Sequence, residues 1–247
     1  MLICQNEART FITDSRLAAT LALVAGALNT AAFEAVGFFS ANMTGNVSSL
    51  SERLARNERP VAFFFCEIVC LFIFGSALST LLINHGRRHN IRSVYAINIL
   101  LEALLLLALG GVVTYIPLNS PGTLMILSLS FLMGLQNAVV TRLSNARVRT
   151  THVSGTSTDI GIELAMLLDI LRRKESPEYA SVYLQRLMLH GATVAAFLLG
   201  GVGGIWLYKL AGDGFLLFIG GFLSVLALGY LYKAQRQTAK NSRLAAR

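Results

Sequence analysis

Leu17–Asn46 reads LAATLALVAGALNTAAFEAVGFFSANMTGN. Its first 24 residues, Leu17–Ser40, carry one ionisable group, Glu34. About 20 apolar residues in a helix suffice to cross the hydrocarbon core of a bilayer, so this run predicts a membrane span. The run then enters Asn42-Met43-Thr44-Gly45-Asn46, residue types that make poor helix interior and whose side chains can satisfy an unwound backbone. The stretch therefore predicts a span followed by a break inside the membrane zone. Helical pattern resumes at Val47–Arg56.

Five further windows have the length of a span: Pro60–Asn84, Ser93–Leu118, Gly122–Thr141, Leu187–Tyr208 and Gly214–Tyr232. The last three contain no Asp, Glu, Lys or Arg, and the first three spans hold one acid each: Glu34, Glu67 and Glu102. Composition agrees. Of 247 residues 54% are hydrophobic and 14% charged, and mean hydropathy is +0.60. A water-facing surface needs roughly a quarter of residues charged, which excludes a soluble or disordered chain. Met1–Arg16 is mixed polar, so the first span is expected to act as its own insertion signal.

Charge placement predicts orientation. Across six spans, 17 of the 21 Lys and Arg residues fall on the side of the termini, and 4 (Arg53, Arg56, Arg59 and Lys209) on the other. The positive-inside rule then puts both termini in the cytoplasm. The same partition accounts for the net charge of +8 without a nucleic-acid partner; the tail Lys233, Arg236, Lys240, Arg243 and Arg247 reads as a topology determinant lying on anionic headgroups.

The opening pattern has an echo. Gly134-Leu-Gln-Asn137 lies 108 residues beyond Gly26-Ala-Leu-Asn29, and Gly155 of Val153-Ser-Gly-Thr156 lies 110 beyond Gly45. Three spans per half is an odd number, so the halves must be inverted. The expected architecture is all-α: six transmembrane helices as two inverted three-helix repeats with broken or half-helix segments. Residues 1–16 form a cytoplasmic arm, 17–118 the first repeat, 122–232 the second with a cytoplasmic amphipathic segment 157–174, and 233–247 a basic tail. In that segment Ile160, Leu164, Leu167, Leu168 and Leu171 form an apolar stripe, and its start at Thr156–Thr158 presents unpaired N–H groups and a positive dipole end.

Together, Gly26-x-x-Asn29, Asn42-Met43-Thr44-Gly45-Asn46 after Phe38-Phe39, Gly134-Leu-Gln-Asn137-Ala138 and Val153-Ser154-Gly155-Thr156-x-Thr158-Asp159 resemble the YoaK-like family of small bacterial multipass membrane proteins, domain of unknown function 1275. The resemblance runs nearly the length of the chain. It implies a membrane fold and a bacterial inner-membrane location, and supplies no reaction. Similar proteins usually carry Asp-Ala where this chain has Asn29-Thr30; if that acid carries protons or cations in the family, this chain has lost the charge.

Candidate substrate-binding residues are Asn29, Asn42, Thr44, Asn46, Gln136, Asn137, Ser154 and Thr156. An unpaired amide or hydroxyl in an apolar span costs a few kcal/mol, so these groups either line a polar midplane cavity or pin the halves together. Candidate coupling or proton-relay residues are Glu34, Glu102 and Asp159, Glu102 lying near mid-depth. Arg142 and Arg147 are placed to pair with Asp159 or Glu163, or to serve as ordinary positive-inside charges. His152, Ser154 and Asp159 share one short segment without a nucleophile elbow and make no triad. Cys66 and Cys70 share a helix face but have no further ligands nearby in sequence, so neither a metal nor a cofactor is expected. Gly200-x-x-x-Gly204 permits close helix contact, including contact with a second copy of the chain.

The leading expectation is a small secondary transporter or permease for a small polar or anionic solute. Its rival is a non-transporting scaffold or stress-related regulator. An enzyme is disfavoured because no complete catalytic set can be named.

Overall fold

The computed structural model describes residues 11–91, 93–146 and 149–245, with residues 11–15, 17 and 237–245 described in backbone only. Among these residues the chain is all-helical. Eight α-helices follow in order: α1 Phe11–Val36, α2 Met43–Ala55, α3 Arg59–Arg88, α4 Val94–Tyr115, α5 Pro121–Leu143, α6 Val153–Leu171, α7 Ala180–Ala211 and α8 Phe215–Ala245. Pro60 and Pro121 sit in first turns, where the missing N–H loses nothing. Five stretches are long and apolar enough to cross a membrane: Ala18–Val36, Arg59–Arg88, Val94–Tyr115, Pro121–Leu143 and Pro177–Arg236. The last is 60 residues long, and a single 3-10 turn at Gly212–Gly214 divides it into α7 and α8. A multi-pass helical membrane protein follows from length and composition.

The main packing partners are α1 with α7, α3 with α5 and α4 with α8. Small residues decide the first two pairs. A Cβ on Gly26 would overlap the carbonyl of Phe197, and one on Gly200 the carbonyl of Leu23. Likewise a Cβ on Gly134 would overlap the Phe72 carbonyl, and one on Gly75 the carbonyl of Phe131. Backbones come this close only where no side chain intervenes, which is how helices associate when no hydrophobic difference drives them together. Hydroxyls add to both contacts: Thr30 Oγ1 donates to Gly201 O at 3.0 Å and Ser76 Oγ to Gly134 O at 2.9 Å. Gly200 and Gly204 are therefore buried against Leu23 and Ala27 of α1 and are not available to another chain. Gly203, Gly221 and Gly229 have open space around them.

The two breaks lie further upstream than the sequence reading placed them. Met43–Asn46 and Val153–Thr156 are the first turns of α2 and α6, so α2 starts at Met43 instead of Val47, and α6 at Val153 instead of residue 157. The chain leaves helix at 37–42 and again after Ser144. First turns tolerate Gly, Ser and Thr because their N–H groups need no intrahelical acceptor. Gly37 supplies the turn after α1 with φ +79°, and its N–H closes the helix on Phe33 O at 2.7 Å.

Candidate functional site

Each break is tied to an asparagine amide on the helix that precedes it, buried at Asn29 and half-buried at Asn137. After α1 the chain doubles back until Ala41 N–H donates to Asn29 Oδ1 at 2.9 Å, a bond out of reach of solvent. Aromatic packing fixes the returning loop: Phe39 stacks on Phe33 with centroids 4.3 Å apart, and Phe38 makes edge contacts with Phe64 and Phe65. In the second half Asn137 Nδ2 donates to Thr151 Oγ1 at 2.7 Å and to Met133 O at 3.0 Å, while Thr150 Oγ1 donates to Asn137 Oδ1 at 3.3 Å. A mid-span Asn thus holds the residues just ahead of each short helix.

The first turns then match residue for residue. Asn42 caps α2, its Oδ1 accepting from Gly45 N at 3.1 Å, and Asn46 N–H donates to Asn42 O at 2.9 Å. His152 stands at the same position of α6, Thr156 N–H donating to its carbonyl at 3.0 Å. A Cβ on Gly45 would strike the Asn42 side chain, and one on Gly155 the His152 ring. Asn42 and Thr44 are exposed and Asn46 buried; His152 and Ser154 are exposed and Thr156 buried.

Both first turns open onto one cavity of about 1160 Å³. Asn29, Thr30, Asn137 and Thr141 form its polar wall, α3 contributes Ser76 and Thr80, and Phe197 and Val202 of α7 are among its apolar lining. Arg142, Arg149 and His152 are the ionisable side chains on the wall, and among the described residues no acid lines it. Arg142 donates to Asn84 Oδ1 at 2.8 Å. Two helix N-termini with free N–H groups, together with two guanidinium groups, make the cavity a place where negative charge or hydrogen-bond acceptors are favoured.

Of the residues expected to bind substrate, Asn29, Asn42, Thr44, Asn137 and Ser154 meet in this cavity. Asn46 does not: it is buried and donates from Nδ2 to Phe39 O at 3.3 Å. Gln136 is fully buried beside Asn137, about 100° round the helix, and neither side-chain atom has a partner among the described residues. Thr156 faces a second, smaller cavity of about 370 Å³, which it shares with Asp159, His190 and Thr193. That cavity has Arg149 and His152 in common with the large one.

The expected coupling acids are scattered. Glu34 is exposed near the end of α1, 3.4 Å from Lys209 Nζ. Glu102 is wholly buried on α4, away from either cavity, and both carboxyl oxygens lack a partner among the described residues. Asp159 borders the small cavity. Arg147 lies outside the described residues. Glu163 pairs with His190 instead of an arginine, Nδ1 standing 3.0 Å from Oε1. Cys66 and Cys70 share a face, Sγ to Sγ 4.0 Å. Among the described residues no group of three or more His, Cys, Asp or Glu side chains could hold a metal.

A family model described as "Protein of unknown function (DUF1275)" matches residues 17–229. The chain belongs to this family. The matched range contains both Asn-anchored breaks and every residue of the large cavity, which runs from Asn29 to Ile205. No curated protein and no solved structure matches the chain.

Arg149, Thr141, Ser76 and Thr80 also line the cavity, and nothing in their sequence context marks them for it. Only a pairing of α3 with α5 could have found the last two, because isolated hydroxyls on an apolar span usually back-bond their own helix, as Ser76 and Thr80 also do.

Proposed function

We propose that this DUF1275 protein is a small secondary transporter or permease for a small polar or anionic solute, and that the cavity between the two short helices is its solute site. In this reading six spans, with α7 and α8 counted separately, form two inverted halves, α1–α4 and α5–α8. Both termini lie on the cytoplasmic side of a bacterial inner membrane. One observation carries it: two Asn-anchored helix N-termini, at corresponding places in the chain, open onto the same cavity. The interhelix contacts support the pairing of halves. Leu23 and Gly26 against Phe197 and Gly200 correspond to Phe131 and Gly134 against Phe72 and Gly75, at offsets of 108 and 125 residues.

In mechanism, Asn29 and Asn137 hold the half-helices, Thr44 and Ser154 offer hydroxyls beside the free N–H groups, and Arg142 and Arg149 attract negative charge. The tight Gly-to-backbone contacts make α1 with α7 and α3 with α5 two firmly packed pairs, and rocking of one pair against the other exposes the cavity alternately to each side. Protein reconstituted in liposomes and screened for uptake and counterflow of inorganic anions, small carboxylates and neutral polar metabolites tests the reading. The expected result is flux of at least one solute class above protein-free liposomes, reduced tenfold or more in Asn29→Leu/Asn137→Leu. Flux of none, or flux indifferent to both substitutions, refutes it.

A further inference from the structure

The Glu163–His190 pair is unlike every other ion pair described in this chain. Arg53–Glu58, Arg56–Glu52 and Lys209–Glu34 all have partners at least one-third exposed, whereas the Glu163 and His190 side chains are 5% and 15% exposed. Nδ1 of His190 faces both carboxylate oxygens, at 3.0 and 3.2 Å. The pair joins α6 to α7, the helix against which α6 chiefly packs. A carboxylate withdrawn from water needs a counter-charge, and an imidazole provides one only when protonated.

The position corresponding to Glu163 in the first half, 110 residues earlier, is Arg53. Its partner Glu58 is 2.6 Å away, across the loop joining α2 to α3. Its cation is a guanidinium, which needs no added proton to carry its charge, whereas an imidazole does, so the two short helices are fastened differently: α2 through an arginine, α6 through a pair that a single proton makes or breaks.

We propose that Glu163 and His190 form a proton latch that sets the position of α6 at the wall of the large cavity, so that the proton is the ion coupled to solute movement; the coupling, though not the latch, rests on the transport reading above. Nδ1–H faces the carboxylate in both states, and the added proton rests on Nε2. It arrives through the small cavity, which His190 lines together with Asp159, His152 and Arg149. Protonated, the pair is an ion pair in a low-dielectric setting and holds α6 against α7. With His190 neutral the attraction weakens and α6 is free to shift. The pair lies ten residues beyond Val153, about 15 Å along the helix, so a small tilt there moves Val153 and Ser154 in the cavity wall.

Other charges near the pair are accounted for. Asp159 is one turn earlier on α6 and exposed, Arg149 and His152 precede α6, and Arg186 is one turn before His190 and exposed. On α1, which packs along α7, Arg16 is exposed, and the Asp14 side chain lies outside those described. Of these, His152 is the one other imidazole, and it serves as the control.

The test uses the full chain in lipid nanodiscs, with Cys4→Ser, Cys66→Ala, Cys70→Ala and Ser154→Cys, and a nitroxide label on the new thiol. Its spectrum is recorded from pH 5 to pH 8.5 without solute. The expected result is a one-proton transition in label mobility that is lost in Glu163→Gln and in His190→Gln but kept in His190-intact His152→Gln. His190→Lys, with a fixed charge, holds the low-pH spectrum throughout and serves if either neutral variant fails to fold. A wild-type spectrum that ignores pH, or a transition that survives His190→Gln or His190→Lys, overturns the latch. A transition lost as expected, in protein that moves no solute, leaves the latch standing and sinks the transport reading. Solute flux independent of pH, with a silent label, does the reverse.

Discussion

Replacing Asn29 by leucine isolates what the buried amide does. Asn29 is 6% exposed, and its Oδ1 is the acceptor for Ala41 N–H, itself on a residue 6% exposed. Leucine has the same branched frame with the same number of heavy atoms and suits an apolar span, so the substitution deletes the acceptor while keeping the side-chain shape. The orphaned backbone N–H has no rotor with which to find another partner. Leaving such a donor unpaired costs about 1–3 kcal/mol, or a factor of roughly 5 to 150 in the folding equilibrium. Asn137→Leu should cost less, on the order of 0.6 kcal/mol per bond, because the Thr150 and Thr151 hydroxyls it releases can rotate to other acceptors. Asn29→Asp keeps the acceptor and should recover most of the loss. The assay is reversible unfolding in mixed micelles, read alongside proteolysis of the loop 37–42. Asn29→Leu within about 0.3 kcal/mol of wild type, or no better restored by Asn29→Asp than by Asn29→Ala, would refute the idea that this bond holds the break in place.

Four other outcomes follow from the same structure. Gly26→Ala and Gly134→Ala each drive a Cβ into a backbone carbonyl that cannot move aside, and should each cost about 1–3 kcal/mol in thermal unfolding, while Gly203→Ala and Gly221→Ala should stay within about 0.5 kcal/mol. Glu102→Leu replaces a buried carboxyl without a partner by an apolar group, and should leave stability equal or raised; a clear fall in the unfolding midpoint would show the carboxyl to be bonded. Arg142→Gln/Arg149→Gln should weaken uptake of anionic solutes tenfold or more and leave neutral ones within twofold, as a ratio of initial rates in proteoliposomes. Gly37→Val imposes a β-branched residue at φ +79° and should destabilise the turn after α1 by over 1 kcal/mol, seen as faster proteolysis there.

The helices were legible because apolar length is a strong signal, and α3, α4 and α5 begin and end within four residues of the windows read from sequence. The Asn29 and Asn137 echo was legible too, since amides are rare in such runs. The break was misplaced because Met-Thr-Gly-Asn and Val-Ser-Gly-Thr look like breakers, yet those same residues are good first-turn and capping residues. Gln136 and Asn137 are neighbours in sequence and point to different surroundings, which only helix packing decides. His190 went unnoticed inside a span free of Asp, Glu, Lys and Arg. Its partner Glu163 is 27 residues away, beyond the reach of any local spacing rule.

In the proposed mechanism solute sits and moves in the cavity between the two half-helix N-termini. This is tested most directly by placing a thiol there, as Thr44→Cys or Ser154→Cys in protein otherwise free of cysteine, and measuring flux in proteoliposomes before and after a bulky thiol reagent is attached. Either modification should stop the flux that unmodified protein supports, and an identical modification at Ser51→Cys, on the exposed face of α2, should not. Flux that continues unchanged with the reagent attached at both cavity positions would contradict it.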